Sequence, residues 1–401
     1  MWRIESPKLI AGLTRIVRDV GLAEDLAQDA LVAALEQWPE SGVPAKPGAW
    51  LMATAKHRAI DRLRRDQRLE RKNQEIGREM EFQESQQDGD DLLRLIFISC
   101  HPILAPEARV ALTLRLLASL TTEEIARAFL LPVSTIAQRI VRAKRTLTEA
   151  RVPFEVPFGP ELDARLSSVL QVIYLVFNEG YSATAGDDLI RAGLCEDALR
   201  LGRILAGLAP KEPEVHGLVA LMEIQASRTR ARVGQSGEMV LLLDQDRTRW
   251  DQLLIRRGLT ALERAEQLGG ALGPYALQAA IAACHARART AAETDWARIV
   301  ALYDALAELT PSAVVELNRA VAVGMAFGPA AGLELVDALT AEPSLETYHF
   351  LPSVRGDFLA KLGRHDEARV EFERAAALTQ NARERELLLD RAAASSRGDA
   401  S

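Results

Sequence analysis

Residues 120–147, LTTEEIARAFLLPVSTIAQRIVRAKRTL, read as two helices joined by a turn, with the second helix ending in positive charge. Thr121 can cap the first helix and Glu124, three residues on, completes a capping box. Ile125, Ala126 and Phe129 give that helix one apolar face, and the small Ala126 allows a close helix crossing. Pro132 ends it, because proline cannot continue the hydrogen-bond ladder. Ser134 then reads as the N-cap of a second helix. Ile136, Ile140, Ala143 and Leu147 follow at spacings of three and four, which turns Thr135, Gln138, Arg139, Arg142 and Arg145 outward. In a helix-turn-helix the second helix enters the major groove: its first residues meet base edges and its later basic residues hold phosphates. A plain helical hairpin with a solvated basic face is the alternative, and the rest of the chain decides between them.

The chain has 401 residues, enough for two or three domains with cores of their own. Ala, Leu, Arg and Glu dominate and aromatic residues are few, so an all-α protein is expected. Cys100, Cys195 and Cys284 stand alone, without CxxC spacing; a disulfide framework or zinc site is not expected, and a reducing cytoplasm fits. No signal-like or bilayer-length apolar segment is evident, so a cytoplasmic location without membrane contact is expected. The net charge of −7 is unevenly divided. Residues 1–150 hold 22 Lys+Arg against 21 Asp+Glu, and residues 151–401 hold 27 against 35. Eight of the positive residues fall between Lys56 and Lys72, a footprint suited to phosphates.

Residues 6–38 read as two amphipathic helices separated at Gly21. The first turns Leu9, Leu13, Ile16, Val17 and Val20 inward; the second buries Leu26, Ala30, Leu31, Ala34 and Leu35 and carries Asp25, Gln28, Asp29 and Glu36 as an acidic stripe. Trp38 to Pro44 reads as a breaker-rich loop. From Pro47 to about residue 72 a helix begins apolar, with Trp50, Leu51 and Ala55, and ends basic, with Arg58, Arg62, Arg64 and Arg65. Residues 73–91 are polar and acidic and read as a flexible linker. Residues 92–118 add two helices broken at His101-Pro102, and Cys100 reads as a packing residue.

The stretch from Asp25 to Leu31, then Trp50-Leu51, Ala55, Asp61 and Arg64-Arg65, then 120–147, resemble regions 2 and 4 of the extracytoplasmic-function (ECF) bacterial sigma factors. The resemblance implies region 2 over residues 1–72, the linker over 73–91 and region 4 over 92–150. It implies core RNA polymerase as partner, with Asp25, Gln28 and Asp29 meeting the β′ clamp and region 4 also meeting the β flap. It implies promoter DNA as the other partner: Arg58, Arg62, Arg64 and Arg65 near the minus-10 element, with loop 39–48 holding a flipped base, and Ser134, Thr135, Gln138, Arg139, Arg142, Lys144 and Arg145 at the minus-35 element. Leu130 stands where the family usually has glycine, and Ala137 where a polar or basic residue is common.

Beyond a proline-punctuated joint at 151–160, residues 161–401 read as an acidic helical extension. Gly356, Gly363, Ala368, Phe372 and Ala375 fall at positions of a 34-residue tetratricopeptide (TPR) repeat, and Trp296, Tyr303 and Pro311 match half of an earlier one. Phe177-Asn178-Glu179-Gly180-Tyr181 resembles the extension of an ECF subgroup with a TPR-like regulatory region. Asn178, Glu179 and Tyr181 are candidates for an interdomain or ligand contact; a helix C-terminal turn with a buried aromatic is the other reading. No nucleophile–base pair, phosphate loop or metal spacing stands out, so neither enzyme activity nor a cofactor is expected. The rivals to a sigma factor are a stand-alone helix-turn-helix regulator with a TPR sensor and a helical scaffold, and neither requires the acidic stripe upstream of the Trp50 helix.

Overall fold

The computed structural model describes residues 2–69, 84–129, 131–182, 185–186, 190–234 and 238–396; within helices, the side chains of residues 2–4, 63–69, 84–89 and 160 lie outside that description. Eighteen α-helices account for nearly all regular structure among the described residues. The chain divides into two compact units, residues 1–175 and 176–401.

In the first unit α1 (Trp2–Val17) packs on α2 (Val20–Ser41), α3 (Pro47–Leu69) and α4 (Glu84–Ser99). Leu9, Leu13, Leu26, Ala30, Leu51, Ala55, Leu95 and Ile96 fill the space between them. The break between α1 and α2 lies at Arg18, whose φ of 55° is left-handed, and at Asp19, whose carboxylate accepts from Leu22 N–H as the N-cap. Gly21 is therefore inside α2 and does not separate the helices. It is needed for proximity: a Cβ there would sit 3.1 Å from Asp19 Oδ1 and 3.5 Å from Lys144 Cδ. Pro39 also lies within α2, in its last turn, so the loop shortens to 42–46. Trp38 and Trp50 flank it edge to face, with centroids 5.4 Å apart. Helix α4 begins at Glu84, inside the stretch read as a linker.

Helices α5 (Pro106–Leu116), α6 (Thr122–Ala128) and α7 (Val133–Glu149) form a three-helix layer. The capping box at α6 is present in full, Thr121 accepting from Glu124 N–H and Glu124 accepting from Thr121 N–H. Ile136, Ile140, Ala143 and Leu147 are buried as their spacing requires. Helix α7 starts two residues earlier than a Ser134 cap implies: Pro132 occupies the N-cap, and Ser134 is exposed in the first turn without capping. The first part of α8 (Pro160–Tyr181) completes this unit. Its buried Arg165 donates to Phe97 O, and Ser168 donates to Cys100 O at 2.6 Å. Cys100 is core, and burial pushes its thiol up to about 11.

The second unit runs from the end of α8 through α9 (Ala192–Leu208), α10 (Pro213–Ala226), α11 (Gln252–Gln267), α12 (Pro274–Arg287), α13 (Trp296–Leu309), α14 (Ala313–Phe327), α15 (Pro329–Leu339), α16 (Phe350–Lys361), α17 (His365–Leu378) and α18 (Ala382–Ser396). From α9 onward most helices pack on their neighbours in sequence, while α12 packs chiefly on α10. Gly356 lets α16 close on the Phe372 ring of α17, and Gly363, at φ 76°, makes the turn between them. A two-residue parallel pairing joins 185–186 to 380–381.

Burial holds His101 at about 4, helped by the Arg165 charge, and His285 at about 4, helped by Arg228 and Arg247. Both imidazoles thus have folded pKa values below the ordinary 6.5, so the unfolded chain binds more protons between about 6.5 and 4 and stability falls with pH across that window. Thermal melts are expected to show a Tm that drops between pH 7 and pH 5, with a shallower slope for H285Q than for the native chain.

Candidate nucleic-acid and polymerase interfaces

The outer face of α2 is mixed. Asp25 and Asp29 are exposed, and Gln28 is half-buried and donates to Glu24 Oε1 at 2.8 Å. Val32 and Leu35 continue the same face at 51% and 67% exposure. Leu35 thus points away from the core, against the expectation. Its place inside is taken by Ala33, which with Ala30 and Ala34 makes the buried stripe. Position 35 lies seven residues from Gln28 and two turns along the same face. An acidic strip running into an apolar one suits a partner surface more than a solvated face.

Arg58 and Arg62 are exposed on α3, and Arg58 Nη1 lies 3.8 Å from Asp29 Oδ2. That pair joins the acidic stripe to the basic helix, although at this exposure it adds little stability. The side chains of Arg64 and Arg65 lie outside the described residues.

On α7, Ser134, Gln138, Arg142 and Arg145 are exposed, while Thr135 and Arg139 are half-buried. These six share one side of the helix, with Arg145 also 3.5 Å from Glu149 on the same helix. Lys144 is placed elsewhere. Its ammonium is paired with Glu24 on α2, and Arg115 Nε on α5 donates to the other carboxylate oxygen of Glu24 at 2.6 Å. Glu24 is only 4% exposed, so one buried carboxylate binds cations from two helices of the C-terminal layer. Thr148 Oγ1, one turn beyond Lys144, donates to Asp19 Oδ2 at 2.9 Å. Arg15 on α1 meets the buried Asp91 on α4 at 2.9 Å.

The sequence reading missed Glu24, Arg115 and Asp91. The signal was a glutamate between Ala23 and Ala27, both fully buried, because an inward carboxylate requires a cation brought from elsewhere in the fold.

In the second unit, Tyr181 stacks on Phe177 with centroids 5.6 Å apart, and Glu179 is ion-paired with Arg191. Asn178 O accepts from Ser182 N–H at the end of α8, and the helix runs through Gly180 to Tyr181. A Cβ at Gly180 would lie 2.6 Å from Cys195 N, so the glycine is there for close packing of α8 on α9. Among the described residues no helix is long and apolar enough to cross a membrane.

Comparison with known proteins agrees with this anatomy. Residues 1–69 match the family described as Sigma-70 region 2, residues 94–147 match Sigma-70, region 4, and residues 165–266 match a family of unknown function, DUF6596. An uncharacterised protein of Rhizobium meliloti (strain 1021) is 43% identical over 387 residues, covering 94% of this chain and 91% of that protein. The chain belongs to the sigma-70 type of sigma factors, in the ECF-type form that carries a long C-terminal extension. Such regions bind core RNA polymerase and recognise promoter DNA, and they are DNA-binding transcription modules without enzyme activity.

Removing one partner of a buried ion pair typically costs about 3–5 kcal/mol, because the remaining charge is stranded. E24A strands Arg115 and Lys144, both of which keep some solvent access, so a loss of about 3 kcal/mol is expected in denaturant unfolding. D25A, on the same helix but exposed, is expected to change stability by less than about 0.5 kcal/mol.

Proposed function

We propose that this chain directs core RNA polymerase to a specific promoter class in the cytoplasm, with its region 2 docking on the β′ clamp through Asp25, Gln28 and Asp29. Val32 and Leu35 extend that docking face with apolar area, which gives a charged rim its affinity. Arg58, Arg62, Arg64 and Arg65 grip the strand backbone near the minus-10 element, beside the loop that follows Trp38. Unstacking a base costs a few kcal/mol, so a rigid pocket is needed there, and the Trp38–Trp50 contact supports one. Region 4 reads the minus-35 element through Ser134, Thr135, Gln138, Arg139, Arg142 and Arg145 and also meets the β flap.

The observation that carries this reading is the coexistence of two exposed faces on one unit: the acidic-to-apolar strip of α2 and the polar-basic side of α7. A stand-alone operator-binding regulator has no use for the first, and a scaffold has no use for the second. The Lys144–Glu24 pair adds a condition. For Lys144 to reach a phosphate it must leave Glu24, so promoter engagement and separation of α7 from α2 are coupled. The C-terminal helices form a TPR-like array that regulates the sigma regions, in response to a partner or ligand of its own.

In a pull-down of core polymerase by the full-length chain, D25K/D29K is expected to reduce recovery about tenfold, the scale of one to two lost charge contacts. In run-off transcription R139A/R142A is expected to lower the yield from a cognate promoter and to make that yield less steeply dependent on salt, because phosphate contacts are counterion-linked. Sequence-specific DNA binding by the chain without polymerase, together with unchanged recovery in the pull-down, would replace the sigma reading by the operator-binding one.

A further inference from the structure

Five arginines of the second unit, at positions 228, 230, 232, 247 and 249, gather around Trp250 and Tyr181. Among the described residues none of them forms an ion pair, whereas Arg191, Arg203, Arg319, Arg355 and Arg391 of the same unit all do. The cations are layered with rings. Arg232 lies 3.8 Å from the Tyr181 centroid, Arg228 lies 5.8 Å from both the Tyr181 and Trp250 centroids, and Arg247 lies 5.0 Å from that of Trp250. Arg247 is further held by the carbonyls of His285 and Ala288 at 2.6 and 2.8 Å. Arg232 is only 7% exposed and donates to Tyr181 O. Glu384 acts on Arg232 and Glu293 on Arg247 without an ion-pair contact, so five cations against these carboxylates leave a positive locus in an otherwise acidic part of the chain.

That locus opens on a surface cavity of about 760 Å³, where Trp250 lies between Arg230 and Arg249. Both arginines are exposed and free of ion pairs among the described residues. Trp250 is 3% exposed, and its indole N–H has no acceptor. Next to the cavity, Asp246 accepts from the backbone and hydroxyl of Thr248, and Asp251 caps α11 by accepting from Leu253 and Leu254 N–H, so both are already engaged. What remains at the surface is two guanidinium groups facing a space of small-molecule size.

We propose that this cavity binds a phosphate-bearing small molecule, with the exposed Arg230 and Arg249 gripping the phosphate and the buried Trp250 ring holding them apart. Guanidinium forks match phosphate oxygens two at a time, which suits them better than lysines to this task. Arg228 and Arg247, behind Trp250, add charge without touching the ligand. Tyr181, the last residue of α8, belongs to the same layered group, which gives the 177–181 stretch a part in recognising an anion. The proposal needs neither polymerase nor promoter, so it stands or falls separately from the sigma function.

Isothermal titration calorimetry of the full-length chain with sodium pyrophosphate, at ionic strength held constant with sodium chloride, tests it. Saturable binding with a Kd below about 1 mM is expected for a small ligand held by several charge-assisted bonds. R230A/R249A, at exposed positions that leave the circular-dichroism melt unchanged, is expected to weaken it at least about tenfold. R256A/R257A on α11 is the control and is expected to leave it intact. Absence of binding, equal affinity in R230A/R249A, equal loss in the control, or equal binding of sodium sulfate at the same ionic strength would each overturn the proposal.

Discussion

A single carboxylate, that of Glu24, ties α2 to the layer of α5, α6 and α7. It is almost wholly removed from water and holds Arg115 of α5 and Lys144 of α7. Burying such a charge is tolerated only when its oxygens are filled, and here both are. The arrangement accounts for details that look unrelated in the sequence. Gly21 keeps α2 slim where the Lys144 stem passes, Gln28 spends its amide on Glu24, and Thr148 reaches Asp19 one turn away. Ion pairs of this kind define a geometry more than they deepen a well, because their attraction is set against desolvation. They therefore suit a contact that must also open.

Where the helices lie was legible wherever local chemistry agreed with long-range packing. The capping box at Thr121 and Glu124 and the buried row from Ile136 to Leu147 needed nothing beyond spacing. The errors arose where a strong local signal was overruled. Pro39 sits in the last turn of α2 without ending it, giving up the one hydrogen bond its N–H would have made to the Leu35 carbonyl. Ser134 lost the capping place to Pro132, whose ring already supplies the required backbone angle. Leu35 was assigned inward because it is a leucine, but alanines at 30, 33 and 34 bring the helices too close to leave it room.

The exposure of the residues proposed for the two interfaces was legible, since Asp25, Asp29, Gln138 and Arg142 are exposed as their spacing implies. Their electrostatic company was not. Lys144 belongs by sequence to the basic run of α7, and only the fold reveals that it faces a carboxylate 120 residues earlier. The same limit applies to the second unit. Tyr181 lies 47 residues before Arg228, which lies 19 before Arg247, with no shared motif, and their layering depends on where two short turns, Thr229–Ala231 and Arg247–Arg249, are set beside the end of α8.

The parallel pairing of Ala185 with Gln380 and Gly186 with Asn381 changes the mechanical character of the second unit. In an open array of helix pairs each repeat answers only to its neighbours, so the ends fray first and length can grow by duplication. Here the chain that enters the array is hydrogen-bonded to the chain that leaves its penultimate helix, which makes a belt with its buckle fastened. A belt does not fray; it opens at the buckle or not at all. Nor can it gain a repeat without moving 380–381 out of register with 185–186.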